Sequence, residues 1–421
     1  MISIEDIKNQ KLHTIYPKLY GNNFESKKKD NRFIKLLEAH STLFNKSEAN
    51  LFSTAGRSEL GGNHTDHNLG KVLAATINLD TIAAVNKSDD NTAVLISEGF
   101  PAVTVDLNDL SFRKDEENTT SGLLRGIAYD FKKRGLKIGG FVANTSTNVL
   151  KGSGLSSSAA IEVLCATIFN NLYNNDILQP VELAKIGQFA ENVYYGKPSG
   201  LMDQSACASG GIISIDFKDN SNPLVTQIPF NFNEFGYNLI IVDTKGSHDD
   251  LTHCYSAIPE EMKSIANYFD KEVLREVPYE LFFDNIYKVR KTINNDRAIL
   301  RAIHYFNENI RVDKMVKALQ EKDIKQYLKL VNQSGQSSYN YLQNLYAHPT
   351  EQGLGLALAT LESILQGKGA VRVHGGGFAG TVQAYIPIED TGRTIKIMES
   401  IFGKNCVTIL SIRENKTLCF A

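Results

Sequence analysis

Residues 152–160 read Gly-Ser-Gly-Leu-Ser-Ser-Ser-Ala-Ala, two glycines and three consecutive serines ahead of an apolar helical pattern. The first turn of a helix carries unsatisfied N–H groups and a partial positive charge, and glycines before it let a ligand approach the backbone. This combination predicts an anion site, usually for phosphate. The stretch alone leaves a serine-capped helix after a glycine turn as the alternative. A Walker A loop is excluded, because neither Gly-Lys-Ser nor Gly-Lys-Thr occurs in the chain.

A second glycine-rich stretch, His374-Gly-Gly-Gly-Phe-Ala-Gly380, formally matches Gly-x-Gly-x-x-Gly. A dinucleotide-binding loop must lead from a strand into a helix. Here strand-like residues stand on both sides, at 370–373 and 381–386, so NAD binding is not expected. A glycine hairpin packed against another loop is the simpler interpretation.

A third stretch, residues 56–70, reads Gly-Arg-Ser-Glu-Leu-Gly-Gly-Asn-His-Thr-Asp-His-Asn-Leu-Gly. Its asparagine, histidine and aspartate side chains form a dense set of hydrogen-bonding groups between predicted strands. Such a loop suits sugar hydroxyls, and a solvated turn is the alternative interpretation.

Composition limits the class of protein. The chain has 421 residues, 42% of them hydrophobic, and a formal net charge of −2, which predicts a soluble globular protein of two to three domains without a nucleic-acid footprint. The N-terminus lacks the pattern of a signal peptide and no apolar run is long enough to span a membrane, so a cytoplasmic location is expected. Five cysteines without Cys-x-x-Cys predict reduced thiols rather than a zinc site.

Strand-like and helix-like patterns are interspersed without strict βαβ alternation, which favours an α+β fold. Their shift towards helices indicates a domain boundary within 220–255. Helices are predicted near 32–40, over 120–134, 155–173 and 181–194, and through most of 257–345; strands are predicted over 71–87, 92–106, 210–216, 237–244, 370–374, 381–386 and 406–413.

Together, these stretches resemble the motifs of the GHMP kinases, and within them of the galactokinases. A fourth segment, Gly196-Lys-Pro-Ser-Gly-Leu-Met-Asp203-Gln204, is similar to the galactokinase segment that carries the catalytic aspartate. The four motifs follow in family order between residues 56 and 380. The resemblance implies an α+β, two-domain GHMP kinase fold with the active site in the cleft between domains 1–230 and 231–421.

The resemblance also implies roles for single residues. Asp203 would accept the proton of a sugar's anomeric hydroxyl, and Arg57 would stabilise the transferring phosphate. Glu191 and a serine of the loop, with Ser156 as the first choice, would hold Mg²⁺. The 375–380 loop would support the other two. ATP would be bound by Gly152, Ser153, Gly154, Leu155, Ser156, Ser157 and Ser158, and the sugar by Asn63, His64, Asp66, Gly200 and Tyr255. The partners implied are ATP and a sugar, without nucleic acid or membrane, and a monomer is compatible with the sequence.

Two departures from the family pattern concern the sugar. Asn63 replaces a glutamate that contacts the O6 end of galactose, and His67 replaces a tyrosine. Galacturonokinases also lack this glutamate and have Asp-His in place of Asp-Tyr. At Asn63, an amide would accept a sugar carboxylate that a glutamate would repel. No additional arginine or lysine accompanies the change. We therefore expect phosphorylation of galactose at C1, with galacturonate as the alternative. A non-catalytic sugar sensor ranks last, because the phosphate loop, Asp203 and Arg57 are complete.

Overall fold

A computed structural model describes residues 1–21, 24–150, 154–197, 199–246, 251–346 and 348–420. Within these ranges no helix is long and apolar enough to cross a membrane. The α-helices are α1 (Ile4–Lys8), α2 (Tyr16–Tyr20), α3 (Ser26–Phe44), α4 (Thr120–Lys133), α5 (Ser157–Asn174), α6 (Pro180–Phe189), α7 (Met202–Ser209), α8 (Thr252–Tyr268), α9 (Tyr279–Asp284), α10 (Ile286–Ile293), α11 (Asp296–Gln320), α12 (Ile324–Ser337), α13 (Gly353–Leu365) and α14 (Thr391–Phe402). The strands are β1 (Ile2–Ser3), β2 (Glu48–Gly61), β3 (Lys71–Lys87), β4 (Thr92–Ser97), β5 (Val103–Asp106), β6 (Phe141–Thr147), β7 (Ile212–Asp216), β8 (Leu224–Ile228), β9 (Tyr237–Asp243), β10 (Ala370–Val373), β11 (Thr381–Pro387), β12 (Val407–Leu410) and β13 (Leu418–Phe420).

The first sheet is built on the long strands β2 and β3. Its strand order is β1-β2-β3-β6-β4-β5, and β4 pairs with β6 in parallel while the other pairs are antiparallel. Strand β3 pairs with β2 and also with two further strands: residues 71–75 pair with β7, and residues 81–87 pair with β6. Helix α5, which follows the glycine–serine stretch, packs against β2 and β3.

The second sheet is antiparallel, with the order β10-β11-β9-β12. Helix α13 packs on this sheet, and α12 packs on β10. Apolar side chains from both sheets meet in one core, where Leu60 and Leu73 of the first sheet join Ile241 and Tyr385 of the second, together with Val331 of α12. The ends of the strands in both sheets are thereby held in fixed relation to each other.

The elements confirm the predicted α+β class and correct three details. Residues 56–61 belong to strand β2 rather than to a loop. The helix predicted over 181–194 is α6 followed by a π-helical turn, Ala190–Tyr195. The predicted boundary between residues 230 and 231 falls between β8 and β9, but the terminal strand β13 pairs with β2 in the first sheet. The last residues of the predicted second domain therefore return to the first.

Arg413 fixes this return. Its side chain is fully buried and donates hydrogen bonds to Ser53 Oγ (2.6 Å) and Ser53 O (3.0 Å) of β2. The guanidinium lies 3.9 Å from the buried carboxylate of Asp80 on β3. The C-terminal segment is therefore attached to the first sheet by a buried charge as well as by strand pairing.

We expect Arg413→Met to lower the free energy of unfolding by about 3–5 kcal/mol, because removing one partner of a buried ionic cluster leaves its acceptors unpaired. Urea unfolding followed by circular dichroism measures the change. Lys404→Met, at an exposed position on the same C-terminal segment, is the matched control and should have little effect. A loss below about 1 kcal/mol for Arg413→Met would contradict the anchoring role.

Candidate active site

The polar loop after β2 is shaped by backbone conformations that few residues adopt. Gly62 has φ +86°, and a Cβ there would lie 2.3 Å from the carbonyl oxygen of Lys71, so only glycine fits. His64 follows in the left-handed region with φ +56°. A short 3-10 turn, Asp66–Asn68, completes the loop. The chain reverses sharply here, and the side chains of the loop gather beside the end of β2.

The glycine–serine stretch forms a tight entry into α5. Gly154 and Ser156 both have positive φ, +69° and +60°, and α5 begins at Ser157. The carbonyl of Leu155 accepts a hydrogen bond of 3.1 Å from the backbone N–H of Arg57, which attaches the loop to β2. The predicted ATP ligands Gly152 and Ser153 lie outside the described residues.

Asp203, in the first turn of α7, joins these two segments. One carboxylate oxygen accepts hydrogen bonds from Arg57, at 2.8 Å from Nε and 2.7 Å from Nη2. The other accepts from the Ser156 hydroxyl at 2.5 Å. Arg57 also donates through Nη1 to the Gly154 carbonyl. The predicted catalytic pair and the predicted phosphate loop therefore form one hydrogen-bonded unit.

The charge of Asp203 is stabilised within this unit. Burial raises the pKa of its carboxyl group, but the Arg57 charge and the hydrogen bonds from Ser156 and Arg57 outweigh burial and lower the pKa below its usual value. Arg57 is almost fully buried, whereas the Asp203 side chain keeps 35% of its surface exposed. Asp203 is therefore an ionised carboxylate that remains accessible to a ligand.

Two further predicted sugar ligands meet at Gly200. A Cβ at this position would lie 2.4 Å from Oδ2 of Asp66, so the Asp66 carboxylate packs directly on the glycine backbone. The carboxylate of Asp66 also lies 3.8 Å from the ring of His67. The structure thus places Asp66 against the segment that leads into Asp203, three residues later.

His64 is held as a neutral ring. Its Nε2 lies 3.0 Å from the carbonyl oxygen of Gly376, which requires a proton on Nε2. Burial, followed by the neighbouring His67, lowers the pKa of His64 to about 4. At neutral pH, Nδ1 of His64 is therefore an acceptor that suits a sugar hydroxyl.

The glycine-rich loop at 374–380 lies beneath the other two loops. A Cβ at Gly375 would lie 3.6 Å from Cα of Gly154, and a Cβ at Gly376 would lie 2.7 Å from the ring of Tyr255. The Tyr255 hydroxyl donates to the carbonyl of Gly377 at 2.9 Å. The geometry agrees with the predicted supporting role of this loop, and it directs the Tyr255 hydroxyl to the loop backbone in this structure.

The Asn63 side chain is bonded to other residues of the protein. Its amide is buried, and Nδ2 donates to the Glu59 carboxylate (3.1 Å) and to the carbonyl of Gly375 (2.7 Å). Its Oδ1 accepts from Asn344 Nδ2 (2.8 Å) and from Ser338 Oγ (3.3 Å). All four hydrogen-bonding positions are used inside the protein, so the predicted contact between the Asn63 amide and the sugar is not supported by this geometry.

The partner of Asn63 belongs to a buried ion pair. Glu59 accepts a hydrogen bond from Arg372 of β10, and both side chains are essentially inaccessible. Burial raises the pKa of Glu59, and the charges of Arg372 and Arg57 offset this only in part. The sequence analysis missed this pair, because the two residues are 313 positions apart.

A cavity of about 410 Å³ opens beside the start of α5, within the usual range for small-molecule sites of roughly 300–1,000 Å³. Its lining combines apolar and polar residues. The apolar part of the lining includes Phe100, Pro101, Val103 and Leu123, and the polar part includes Ser157, Ser158, Glu162, Glu191 and Lys197. A mixed lining of this kind beside the start of α5 fits a nucleotide.

The polar part of the cavity lining includes two buried acids, Glu162 and Glu191, which the amide of Gln204 bridges. Gln204 Nε2 donates to Glu162 Oε2 and to Glu191 Oε2, at 2.9 Å each. Lys197 Nζ lies 2.8 Å from Glu191 Oε1. No donor among the described residues reaches Glu162 Oε1 or Gln204 Oε1. Burial and the Glu191 charge raise the pKa of Glu162 to about 8.

The donor set suits the Mg²⁺ that the resemblance implies. Carboxylate, amide and hydroxyl oxygens are the ligands this ion prefers. Two buried oxygens of this kind, Glu162 Oε1 and Gln204 Oε1, have no hydrogen-bond donor among the described residues. The described residues contain no cluster of three or more acidic, histidine or cysteine side chains that could hold a metal alone.

The three serines of the loop have different surroundings in the structure. The Ser156 hydroxyl is bonded to Asp203, whereas Ser157 and Ser158 line the cavity with Glu191. Glu162 follows Ser158 by one helical turn on the same face of α5. Sequence reasoning missed Glu162, although a carboxylate inside the apolar face of a helix was an available signal.

The fold, the anion loop and the paired Arg57 and Asp203 define a small-molecule kinase of the GHMP class. The model of the GHMP kinases N terminal domain matches residues 122–211, and the galactokinase galactose-binding signature matches residues 38–87. A galactokinase of Lactobacillus helveticus is 31% identical over 362 residues, covering 83% of this chain and 89% of that protein. The chain belongs to the galactokinase family.

Further relatives agree with this assignment. A galactokinase of Clostridium tetani is 30% identical over 336 residues, covering 80% of this chain and 83% of that protein. The crystal structure of Lactococcus lactis galactokinase complexed with galactose matches with a TM-score of 0.79 at 23% identity, covering 92% of this chain and 99% of that one. The mevalonate kinase of Methanococcus jannaschii has a TM-score of 0.62 at 17% identity, with 87% and 99% covered. These structures show the fold.

We expect Gly200→Ala to displace the Asp66 carboxylate, because the new Cβ would lie 2.4 Å from its Oδ2. The KM for the sugar should rise about tenfold or more, while the KM for ATP changes little. Steady-state kinetics measure both. Gly392→Ala, where a Cβ meets no atom within 4 Å, is the matched control. An unchanged KM for the sugar would contradict a positioned Asp66.

We expect Glu162→Gln to become more stable relative to the wild type as pH rises from 5 to 8. The raised pKa of Glu162 means that the unfolded chain loses this proton at lower pH than the folded protein, which weakens wild-type folding by up to about 1.4 kcal/mol per pH unit in this window. Urea unfolding in EDTA at several pH values measures the difference. Glu182→Gln, an exposed acid with a lowered pKa, is the control. If the stability of Glu162→Gln and of the wild type changed with pH in the same way, the raised pKa of Glu162 would be contradicted.

Proposed function

We propose that the protein transfers the γ-phosphoryl group of ATP to the C1 hydroxyl of galactose and forms galactose 1-phosphate. The observation that carries this proposal is the hydrogen-bonded unit of Arg57, Asp203 and the loop at the start of α5. It connects an accessible carboxylate, a buried cation and a phosphate-binding helix start, which are the parts that phosphoryl transfer to an alcohol requires.

Asp203 would orient the C1 hydroxyl and accept its proton. An alcohol is far less acidic than a carboxylic acid, so the proton moves late, as the oxygen attacks phosphorus. The lowered pKa of Asp203 keeps it ionised and ready to accept a hydrogen bond from the hydroxyl. Its fixed position between Arg57 and Ser156 supplies orientation as well as basicity.

Arg57 would stabilise negative charge on the transferring group, and the N–H groups of the first turn of α5 would bind the phosphates. Mg²⁺ bound with the nucleotide would neutralise charge on the phosphate oxygens. We propose that Glu191 and Ser158 hold this ion. The apolar part of the cavity lining would contact the adenine base.

His64, Asp66 and Gly200 would form the sugar site, with Tyr255 at its edge. The argument for galacturonate depended on a free amide at Asn63, and that amide is bonded to Glu59 and Gly375. The nearby Glu59 carboxylate would disfavour a second carboxylate. The galactose-binding signature over residues 38–87 supports galactose instead.

We also propose that the enzyme acts in the cytoplasm, where ATP is available. All five cysteines carry free thiols in the structure, which agrees with a reducing compartment. The complete unit of Arg57, Asp203 and Ser156 supports an active kinase rather than a sugar sensor.

We expect Asp203→Asn to reduce kcat by about 10²–10⁴-fold while galactose and ATP binding change little, because the amide keeps the shape but cannot take the proton. Coupled assays of ATP consumption and calorimetric binding measure the two effects. Asp296→Asn is the matched control, since Asp296 also lies in the first turn of a helix and pairs with an arginine, Arg290.

The same assay tests the sugar. Galactose and galacturonate are compared at equal concentration with wild-type protein. Turnover with galacturonate alone would overturn the proposed substrate. Binding of ATP and galactose without turnover would make the protein a sensor. Normal turnover by Asp203→Asn would remove Asp203 from the mechanism.

A further inference from the structure

Lys197 forms an ion pair with Glu191, the carboxylate that we propose as a ligand of the nucleotide's metal ion. Its Nζ lies 2.8 Å from Glu191 Oε1, and the other oxygen of Glu191 accepts from Gln204. Both oxygens of Glu191 therefore already have partners. A divalent cation can reach this carboxylate only if it shares Oε1 with the ammonium or displaces it.

The two members of this ion pair differ in freedom. The Lys197 side chain is 58% exposed, whereas that of Glu191 is 5% exposed. The backbone of Lys197 is fixed by a 3.1 Å hydrogen bond from its N–H to the carbonyl of Glu191. Only the flexible four-carbon stem needs to move when the ammonium leaves Glu191.

When the ammonium of Lys197 leaves Glu191, it is still in the cavity that we propose for the phosphates. Lys197 lines this cavity together with Ser157 and Ser158 and is the only cationic side chain among the described lining residues. Arg57 does not line this cavity, and its guanidinium bonds to Asp203 and to the Gly154 carbonyl. A polyphosphate at α5 would be the nearest new source of negative charge.

We propose that Lys197 exchanges partners during nucleotide binding: it neutralises Glu191 in the cation-free protein and binds the polyphosphate once the metal ion has taken Glu191. Lysine is a usual phosphate ligand and acts as a compact point charge. The proposal rests on the use of ATP with a divalent cation and is independent of which sugar is phosphorylated.

This exchange predicts effects of opposite sign for Lys197→Met. Without the competing ammonium, nucleotide-free protein should bind Mn²⁺ several-fold more tightly. Without the phosphate ligand, the affinity for the magnesium complex of AMP-PNP should fall about tenfold, as expected for one charge-assisted hydrogen bond. Water-proton relaxation measures the first affinity and calorimetry the second, both without sugar.

Two variants control the experiment. Lys185→Met removes an ammonium that also lies 2.8 Å from a glutamate, Glu182 on α6, but outside the cavity, and should change neither affinity. Lys197→Arg retains the charge and should restore much of the nucleotide affinity.

The result for Lys197→Met decides the proposal. Tighter Mn²⁺ binding with weaker nucleotide binding supports it. Weaker binding of both ligands would indicate a structural role, and an unchanged affinity for either would show that the exchange does not occur; each outcome overturns it. If galactose is not the substrate, these two affinities are unaffected, so failure of the proposed function remains distinguishable.

Discussion

The candidate site depends on the buried guanidinium of Arg57. This group joins a carboxylate 146 residues later and a loop carbonyl 97 residues later in the chain. A buried cation is costly unless its partners are in place, so Asp203 and the carbonyl of Gly154 must be present when β2 packs. The same bonds hold the Asp203 carboxylate and the start of α5 in fixed relation. Preorganisation is therefore a consequence of folding, because the charge that would stabilise the reaction also requires the site to assemble.

The cost of burying a charge without a partner also explains why residue 63 is an asparagine. A glutamate at this position would place a second carboxylate against Glu59, whose burial the charges of Arg372 and Arg57 already offset only in part. The amide instead donates to Glu59 and to the glycine-rich loop, and so connects β2 with the second sheet. The departure from the family pattern is thus explained by a buried partner within the protein. A change of substrate is not needed to account for it.

The sequence predicted what depends on neighbouring residues. The helix after the glycine–serine stretch and the buried strand over 71–87 follow from local pattern, and the structure confirms them as α5 and β3, whereas residues 56–61 of the predicted polar loop lie in β2. Contacts between distant residues could not be read in this way: Asn63 meets Asn344 across 281 positions, and β13 returns to β2 after the whole second sheet. Ser156 illustrates the limit within a motif. Three consecutive serines look equivalent in sequence, but Ser156 alone of them has a left-handed backbone, and its hydroxyl bonds to Asp203.

The two buried acids of the nucleotide cavity are neutralised before any ligand enters. With a pKa of about 8, Glu162 is mostly neutral at pH 7, and the Glu191 carboxylate is paired with Lys197. An isolated polyphosphate would therefore meet no unpaired cation among the described residues that line the cavity. A polyphosphate that arrives with a divalent cation brings the partner that Glu191 needs and releases the ammonium that the phosphates need. The resting ion pair thus favours the metal–nucleotide complex over the nucleotide alone, because only the complex satisfies the carboxylate and the ammonium together.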